Sequence, residues 1–358
     1  MPTPQLTPHL VAELSARASW KKREYDVAFR EAGEAAEMAL AAGDELAWWN
    51  MKYLQAECLR DKGAIMECLQ MAMDLKENAL TGTSAELGSR AGTLLAVSLQ
   101  GLGRLPEAAT AANDAAKLVA GNVNLVYQHI LAQRALIAAL AEGRLLDDAW
   151  RECLVLETLL GDAVDEDTAG KGYWVIGNVA FLSGRLEDGS RFHDLAADRL
   201  SPSKDVDLWA RFNRASAEMR LQAKIADAAT LRCIERAELA TDIVGGSERD
   251  HLEMSLVRAH WNFLSGDMAG AIAILEPLCA KSSILAIQTA AEAHFLLARA
   301  FLGAGRDDDA RRTFEEAARL FDRAAAPERS AVVRTHLEGI GQEHLDDSDG
   351  AAGGPVGG

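Results

Sequence analysis

The chain has 358 residues, 49% of them apolar and 25% charged, and 37 basic against 54 acidic side chains leave a net charge of −17. An acidic excess of this size repels phosphate backbones and anionic lipid, so neither nucleic acid nor a membrane is an expected partner. No window approaches the roughly 18 consecutive apolar residues of a membrane span, and the first residues lack the basic start, apolar stretch and small-residue cleavage site of a secretion signal, so a soluble, cytoplasmic protein is expected. Five cysteines (Cys58, Cys68, Cys153, Cys233, Cys279) are odd in number, far apart and never in a CxxC pair, which argues against a disulfide framework or a thiolate zinc site. Alanine is abundant while proline and Val/Ile runs are scarce, a balance that favours helices over strands.

In chain order, one short phrase returns with a fixed period. Its copies are Arg23-Glu24-Tyr25 leading to Ala28, Gly63-Ala64-Ile65 to Cys68, Gly103-Arg104-Leu105 to Ala108, and Gly143-Arg144-Leu145 to Ala149. It continues with Gly184-Arg185-Leu186 to Gly189, Ala223-Lys224-Ile225 to Ala228, Gly266-Asp267-Met268 to Ala271, and Gly305-Arg306-Asp307 to Ala310. The glycine intervals are 40, 40, 41, 82 and 39, the 82 spanning the copy at Ala223 that has lost its glycine. Self-similarity at one period predicts a repeat architecture, here eight units.

Each unit reads as helix, tight turn, helix. The residue seven before the turn is small in nearly every copy: Ala16, Ala56, Ala96, Gly177, Ser216, Ala259 and Ala298, with Leu136 the exception. A small residue there lets two helix backbones approach closely, and glycine at the turn permits positive φ after a helix end. Apolar positions then recur at helical spacing, as in Phe314, Ala317, Ala318 and Phe321. The longer stretches around Gly161 to Asp167 and Thr241 to Gly246 are expected to be loops. Residues from about Pro327 to Ile340 are expected to cap the stack as a polar helix, and the Asp- and Gly-rich residues 341–358 to form a disordered tail.

These residues resemble the tetratricopeptide repeat (TPR), with a period of about 40 in place of 34. The longer period is similar to the TPR-like solenoids of bacterial signal-responsive regulators, including receptors that bind signalling peptides in a helical groove. The resemblance implies an all-α, right-handed superhelical solenoid of about eight repeats over residues 1–340. The first repeat starts so early that no separate N-terminal effector module is expected.

A search for chemistry yields little. There is no GxxxxGK[ST] loop, GxGxxG, HExxH or GxSxG, and His251 and His260 lie nine apart, off the i, i+4 spacing of a helical metal pair. The run Asp307-Asp308-Asp309 stands at a predicted helix start, where carboxylates complement the helix dipole, and Asp165-Glu166-Asp167 is expected to be solvated loop. No metal, cofactor or catalytic residue is expected, and the chain is read as a non-enzyme.

In a TPR stack the first helix of each unit lines the concave surface, and residues 13, 10, 6 and 3 before the turn share that face. The offsets select Arg17 and Trp20; Asn50, Tyr53, Glu57 and Arg60; Arg90, Thr93 and Gln100; and Gln133 with Arg134 beside it. They go on to Lys171, Trp174, Asn178 and Phe181; Asn213 and Arg220 with Arg214 adjacent; Glu253, His260 and Phe263; and Glu292, Phe295 and Arg299. Arginine outnumbers glutamate there, so the groove is expected to be basic. The middle units are expected to hold the peptide-binding determinants Arg134, Lys171, Trp174, Asn178, Asn213, Arg214 and His260. Asparagine pairs with a peptide's N–H and C=O, arginine with a carboxylate, and aromatics supply pockets. The expected partner is a protein or extended peptide with acidic groups or a free C-terminus. The alternatives are a self-assembly module that oligomerises through its convex face or ends, with Trp48 and Trp49 as contacts, and a peptide-responsive phosphatase-like or transcription-modulating protein.

Overall fold

The computed structural model describes residues 8–161, 164–324 and 326–350, which form helices with no strand among them. The chain divides into two compact units, Met1–Arg199 and Leu200–Gly358. The first unit holds five helix pairs: α1 (Pro8–Lys21) with α2 (Tyr25–Ala41), α3 (Glu45–Asp61) with α4 (Ile65–Glu77), α6 (Ala85–Gly101) with α7 (Leu105–Val119), α8 (Val126–Glu142) with α9 (Leu146–Leu159), and α10 (Glu166–Leu182) with α11 (Leu186–Arg199). A single-turn helix, α5 (Ala79–Gly82), precedes α6. The second unit holds three pairs, α12 (Val206–Gln222) with α13 (Ala228–Val244), α14 (Glu248–Leu264) with α15 (Met268–Ala280), and α16 (Ile287–Gly303) with α17 (Asp307–Arg323), closed by α18 (Pro327–Gly350). Helix α18 continues past the expected end of the cap near Ile340, and the last part of the expected tail, 351–358, lies outside the described residues.

Within each unit the second helix of a pair packs on the next first helix, and first helices also touch one another: α1 on α3, α3 on α6, α6 on α8 and α8 on α10, and separately α12 on α14 and α14 on α16. First helices therefore form one continuous face in each unit. This is the TPR-like helical-repeat arrangement.

Two local devices fix each pair. The first is a left-handed residue at the turn, found at Arg23, Gly63, Gly103, Arg144, Gly184, Lys224, Gly266 and Gly305. In a Schellman closure, Gly103 N–H donates to Gln100 O (2.8 Å) and Arg104 N–H to Leu99 O (2.9 Å). The fourth and sixth turns depart from the sequence expectation by one position, because Arg144 (φ 61°) and Lys224 (φ 60°), not Gly143 and Ala223, take the left-handed conformation. Their closures run Leu145 N–H to Leu140 O (2.9 Å) and Ile225 N–H to Arg220 O (2.8 Å).

The second device is close packing of small residues. Ala16, Ala56, Ala96, Ala259 and Ala298 are at most 1% exposed, and their counterparts Ala28, Cys68, Ala108, Ala271 and Ala310 are fully buried, as is Ala149 opposite Leu136. At Gly177 an added Cβ would lie 2.2 Å from His193 Cδ2. The sixth pair differs again: α13 starts late behind its Asp227 cap, Ala228 is exposed, and Thr230 takes the buried position.

The segments expected to be loops are partly helix. Asp165 caps α10 by accepting from Thr168 N–H (3.0 Å), with Glu166 and Asp167 in its first turn. Thr241 to Val244 are the last turn of α13, which Gly245 ends with φ 74°. The run Asp307-Asp308-Asp309 forms the first turn of α17, as the dipole argument expects. Trp49 is fully buried with its Nε1 donating to Thr81 Oγ1 (2.8 Å), and Trp48 packs between two core clusters. Of the pair expected as contacts of the convex face or ends, Trp49 is therefore inter-helix core and Trp48 is partly buried against it.

Ala259→Leu places three extra heavy atoms where α14 meets α15 and is expected to destabilise the second unit by about 1–3 kcal/mol, read by urea denaturation. Gly177→Ala, which drives a methyl into His193, is expected to lower stability of the first unit comparably, and neither change alters the helical circular dichroism of the folded protein.

Candidate functional site

The site lies on the first-helix face of the second unit and follows from the corrected turn. Counting from Lys224, the inward positions of α12 become Arg214, Glu218 and Leu221, and all three line one cavity of about 740 Å³. On α14 the positions 13, 10 and 6 before Gly266 bring Glu253, Leu256 and His260, and on α16 the same positions before Gly305 bring Glu292, Phe295 and Arg299. The walls are completed by Gln222, Val257, Leu296, the N-terminal end of α16 (Ala286, Gln288, Thr289) and Arg329 of α18.

One residue of shift explains which expected groove residues fail to reach this face. Asn213 is fully buried, its Nδ2 donating to Trp209 O (2.8 Å), and Arg220 is 1% exposed beside Asp227 (3.8 Å). Gln133 on α8 is 2% exposed and bonds Glu152 on α9, whereas its neighbour Arg134 stands on the inner face. Asn213 is thus a packing residue and not a ligand-facing one.

The expected basic character does not hold in this cavity, where three arginines meet three glutamates. Arg214 bonds Glu253 (Nη1 to Oε2, 3.0 Å) and lies 3.4 Å from Glu218, while Glu253 also accepts from Arg249 (2.9 Å). Arg329 forms a two-point pair with Glu292, one of its contacts at 2.8 Å. Burial pushes the Glu218 carboxyl up from its ordinary value, against the pull of Arg214. Arg299 differs: its guanidinium carbon sits 4.5 Å from the Phe263 ring centre and 5.6 Å from that of Phe295, and among the described residues no carboxylate lies within ion-pair distance. Burial, and then the like charge of Arg329, push its pKa down. His260 is pushed down to about 4, by burial first and by Arg299 second, so the imidazole is neutral at pH 7.

In the first unit, Lys171 is held by Asp167 (2.6 Å) one turn away on α10. Asn178 places its Oδ1 3.0 Å from His193 Nε2 on α11, and Trp174 is half-buried on the same helix. Arg134 has a buried Nε with no hydrogen-bond partner among the described residues, and burial pushes its pKa down. Earlier on this face, Arg90 stacks on Tyr53 (4.3 Å) and Trp49 (4.8 Å) and donates to Asn50 Oδ1 (2.8 Å). Of the expected binding residues, then, the structure brings Arg214 and His260 to one cavity and sets Arg134, Lys171, Trp174 and Asn178 on α8 and α10.

Sequence reasoning missed Glu218, recoverable once the left-handed residue is placed on Lys224. Arg329 carried no signal, because it belongs to the capping helix outside the repeat. No helix among the described residues is long and apolar enough to cross a membrane, and no group of three or more His, Cys, Asp or Glu among them could hold a metal ion.

No family model matches the chain, and no curated protein matches it in sequence. Solved structures do match in fold. The apo form of RapI superposes with a TM-score of 0.54 at 11% identity, over 77% of this chain and 99% of that one. A Rap protein complexed with competence and sporulation factor gives 0.54 at 11% identity, over 97% of this chain and 89% of that one. At this identity the likeness concerns the fold.

A half-buried neutral imidazole favours folding only while it stays unprotonated. Because the folded His260 pKa lies below its unfolded value, the unfolded state binds more protons between about pH 6.5 and pH 4, and stability falls as pH drops through that window. His260→Gln is expected to flatten this part of the stability profile, and the His260 ring proton is expected to titrate near pH 4 by NMR.

Proposed function

We propose that the protein is a non-enzymatic TPR-type binding protein, a cytosolic scaffold or regulator that holds a peptide or a partner's extended segment on the first-helix face of its second unit. The observation that carries this reading is convergence: three successive first helices all turn the positions 10 and 6 before their left-handed turn residue toward one cavity, so part of its lining is periodic in the sequence. A cavity of about 740 Å³ falls in the range of ligand pockets, about 300–1,000 Å³. Three first helices spaced about 10 Å apart span some 20 Å, the length of roughly six extended residues at about 3.3 Å each. Apolar walls from Leu256, Val257, Phe295 and Leu296 take side chains, while Gln222, Gln288 and His260 offer donors and acceptors to a backbone. The complex of a fold-related Rap protein with competence and sporulation factor supports a peptide as the ligand class.

His260→Trp fills the cavity from α14. Peptides from a randomised hexamer pool that the parent chain retains are expected to be lost in this variant and kept in Met66→Ser, a change at an exposed position on α4. Hydrogen exchange with retained peptide is expected to slow in α12, α14 and α16. Equal retention by the parent and His260→Trp overturns the reading.

A further inference from the structure

The charges in the cavity are not interchangeable, and their pairing restricts what can enter. Arg214 is held between Glu218 and Glu253, and Arg329 is held at two points by Glu292. Glu253 is further engaged by Arg249 from outside. Among the described residues Arg299 is the one cavity cation whose guanidinium meets only rings, those of Phe263 and Phe295. Rings against a guanidinium face stabilise the cation and fix its plane, which leaves N–H edges in the geometry that a carboxylate accepts at two points.

We propose that the ligand of this cavity presents a single carboxylate to Arg299 and is otherwise uncharged, so that acidic tracts are rejected. This rests on the groove reading above. One anion completes the pairing of the cavity. A second would approach Glu218, Glu253 or Glu292, whose arginines are already engaged, and like charges at such range repel. His260 supports the selection because, neutral and beside Arg299, it adds a hydrogen-bonding group without a second positive charge. The carboxylate is supplied either by a chain terminus or by an Asp or Glu side chain.

The test offers the full-length chain, immobilised, four equimolar pools of N-acetylated hexapeptides built from apolar and neutral polar residues: free C-terminal acids, C-terminal amides, amides with one Glu, and amides with three Glu. Retained peptide is quantified by mass spectrometry. The parent is expected to hold one of the single-carboxylate pools about tenfold better than the plain amides, in keeping with a charge-assisted hydrogen bond, and the three-Glu pool no better than the amides. Which single-carboxylate pool wins identifies the source of the group. Arg299→Gln is expected to erase the preference at unchanged melting temperature, and Arg299→Lys to restore part of it. Glu292→Gln releases Arg329 and is expected to raise retention of the three-Glu pool several-fold. If Arg299→Gln melts early, this gain decides the matter. A preference that survives in Arg299→Gln, or a parent that favours three Glu, overturns the proposal. Retention of the amide pool above the His260→Trp level without preference for an acid overturns the proposal alone. No retention above that level overturns the groove reading and this proposal together.

Discussion

Close approach of two helix backbones, made possible by one small side chain facing another, is the constraint on which this fold depends. Pairs such as Ala56 with Cys68 or Ala259 with Ala271 are fully buried between a first and a second helix. Alanine contributes little hydrophobic area, so the energy of each contact comes from the larger residues that this proximity lets interlock, such as Leu275, Phe314 and Phe321 in the second unit. That division of labour explains how a chain rich in alanine folds without large aromatic cores. The left-handed turn residue does the complementary work of reversing the chain in the fewest residues, so that the second helix starts within reach of the first.

The turns also decide which side chains reach the inner face. A helix advances 100° per residue, so moving its end by one residue rotates the whole set of inward positions. At Lys224 this rotation replaces Asn213 and Arg220, both buried, with Arg214 and Leu221, and brings Glu218 in beside them, all three in the cavity. A non-glycine residue in the left-handed region costs about 1–2 kcal/mol. The sixth turn bears that cost without glycine because its register is held by Ile225 N–H on Arg220 O.

The period of the array, the existence of nearly every helix and the identity of six of the cavity-lining residues were legible in the sequence, because each follows from spacing. Positions that depended on which residue at a turn would adopt positive φ were not. Glycine advertises that conformation, and Gly143 did so misleadingly, since Arg144 beside it adopts it. The helical parts of the loops expected around Asp165 and Thr241 were missed for a related reason. Acidic and small polar residues signal a helix start as well as a loop, and Asp165 is the cap of α10. Charge balance in the cavity was illegible for a different reason, since ion pairing depends on partners from neighbouring helices and on Arg329 from outside the repeat.

Three partly buried arginines on this type of helical face show different ways of accommodating a guanidinium. Arg90 in the first unit rests on two rings and donates to Asn50, so its needs are met within the protein. Arg214 in the second unit is met by carboxylates on its own and the next first helix. Arg299 has the rings but neither the amide nor the carboxylate. Arg299 is only partly buried, so the rings fix the plane of its guanidinium while the group keeps contact with water. The same chain supplies 54 acidic side chains, and Glu292, one residue type and two turns away on the same helix, is committed to Arg329 instead. Among the described residues Arg299 thus keeps a guanidinium that meets only rings at the wall of a cavity whose other two arginines are met by carboxylates, and the proposed single-carboxylate ligand rests on that asymmetry.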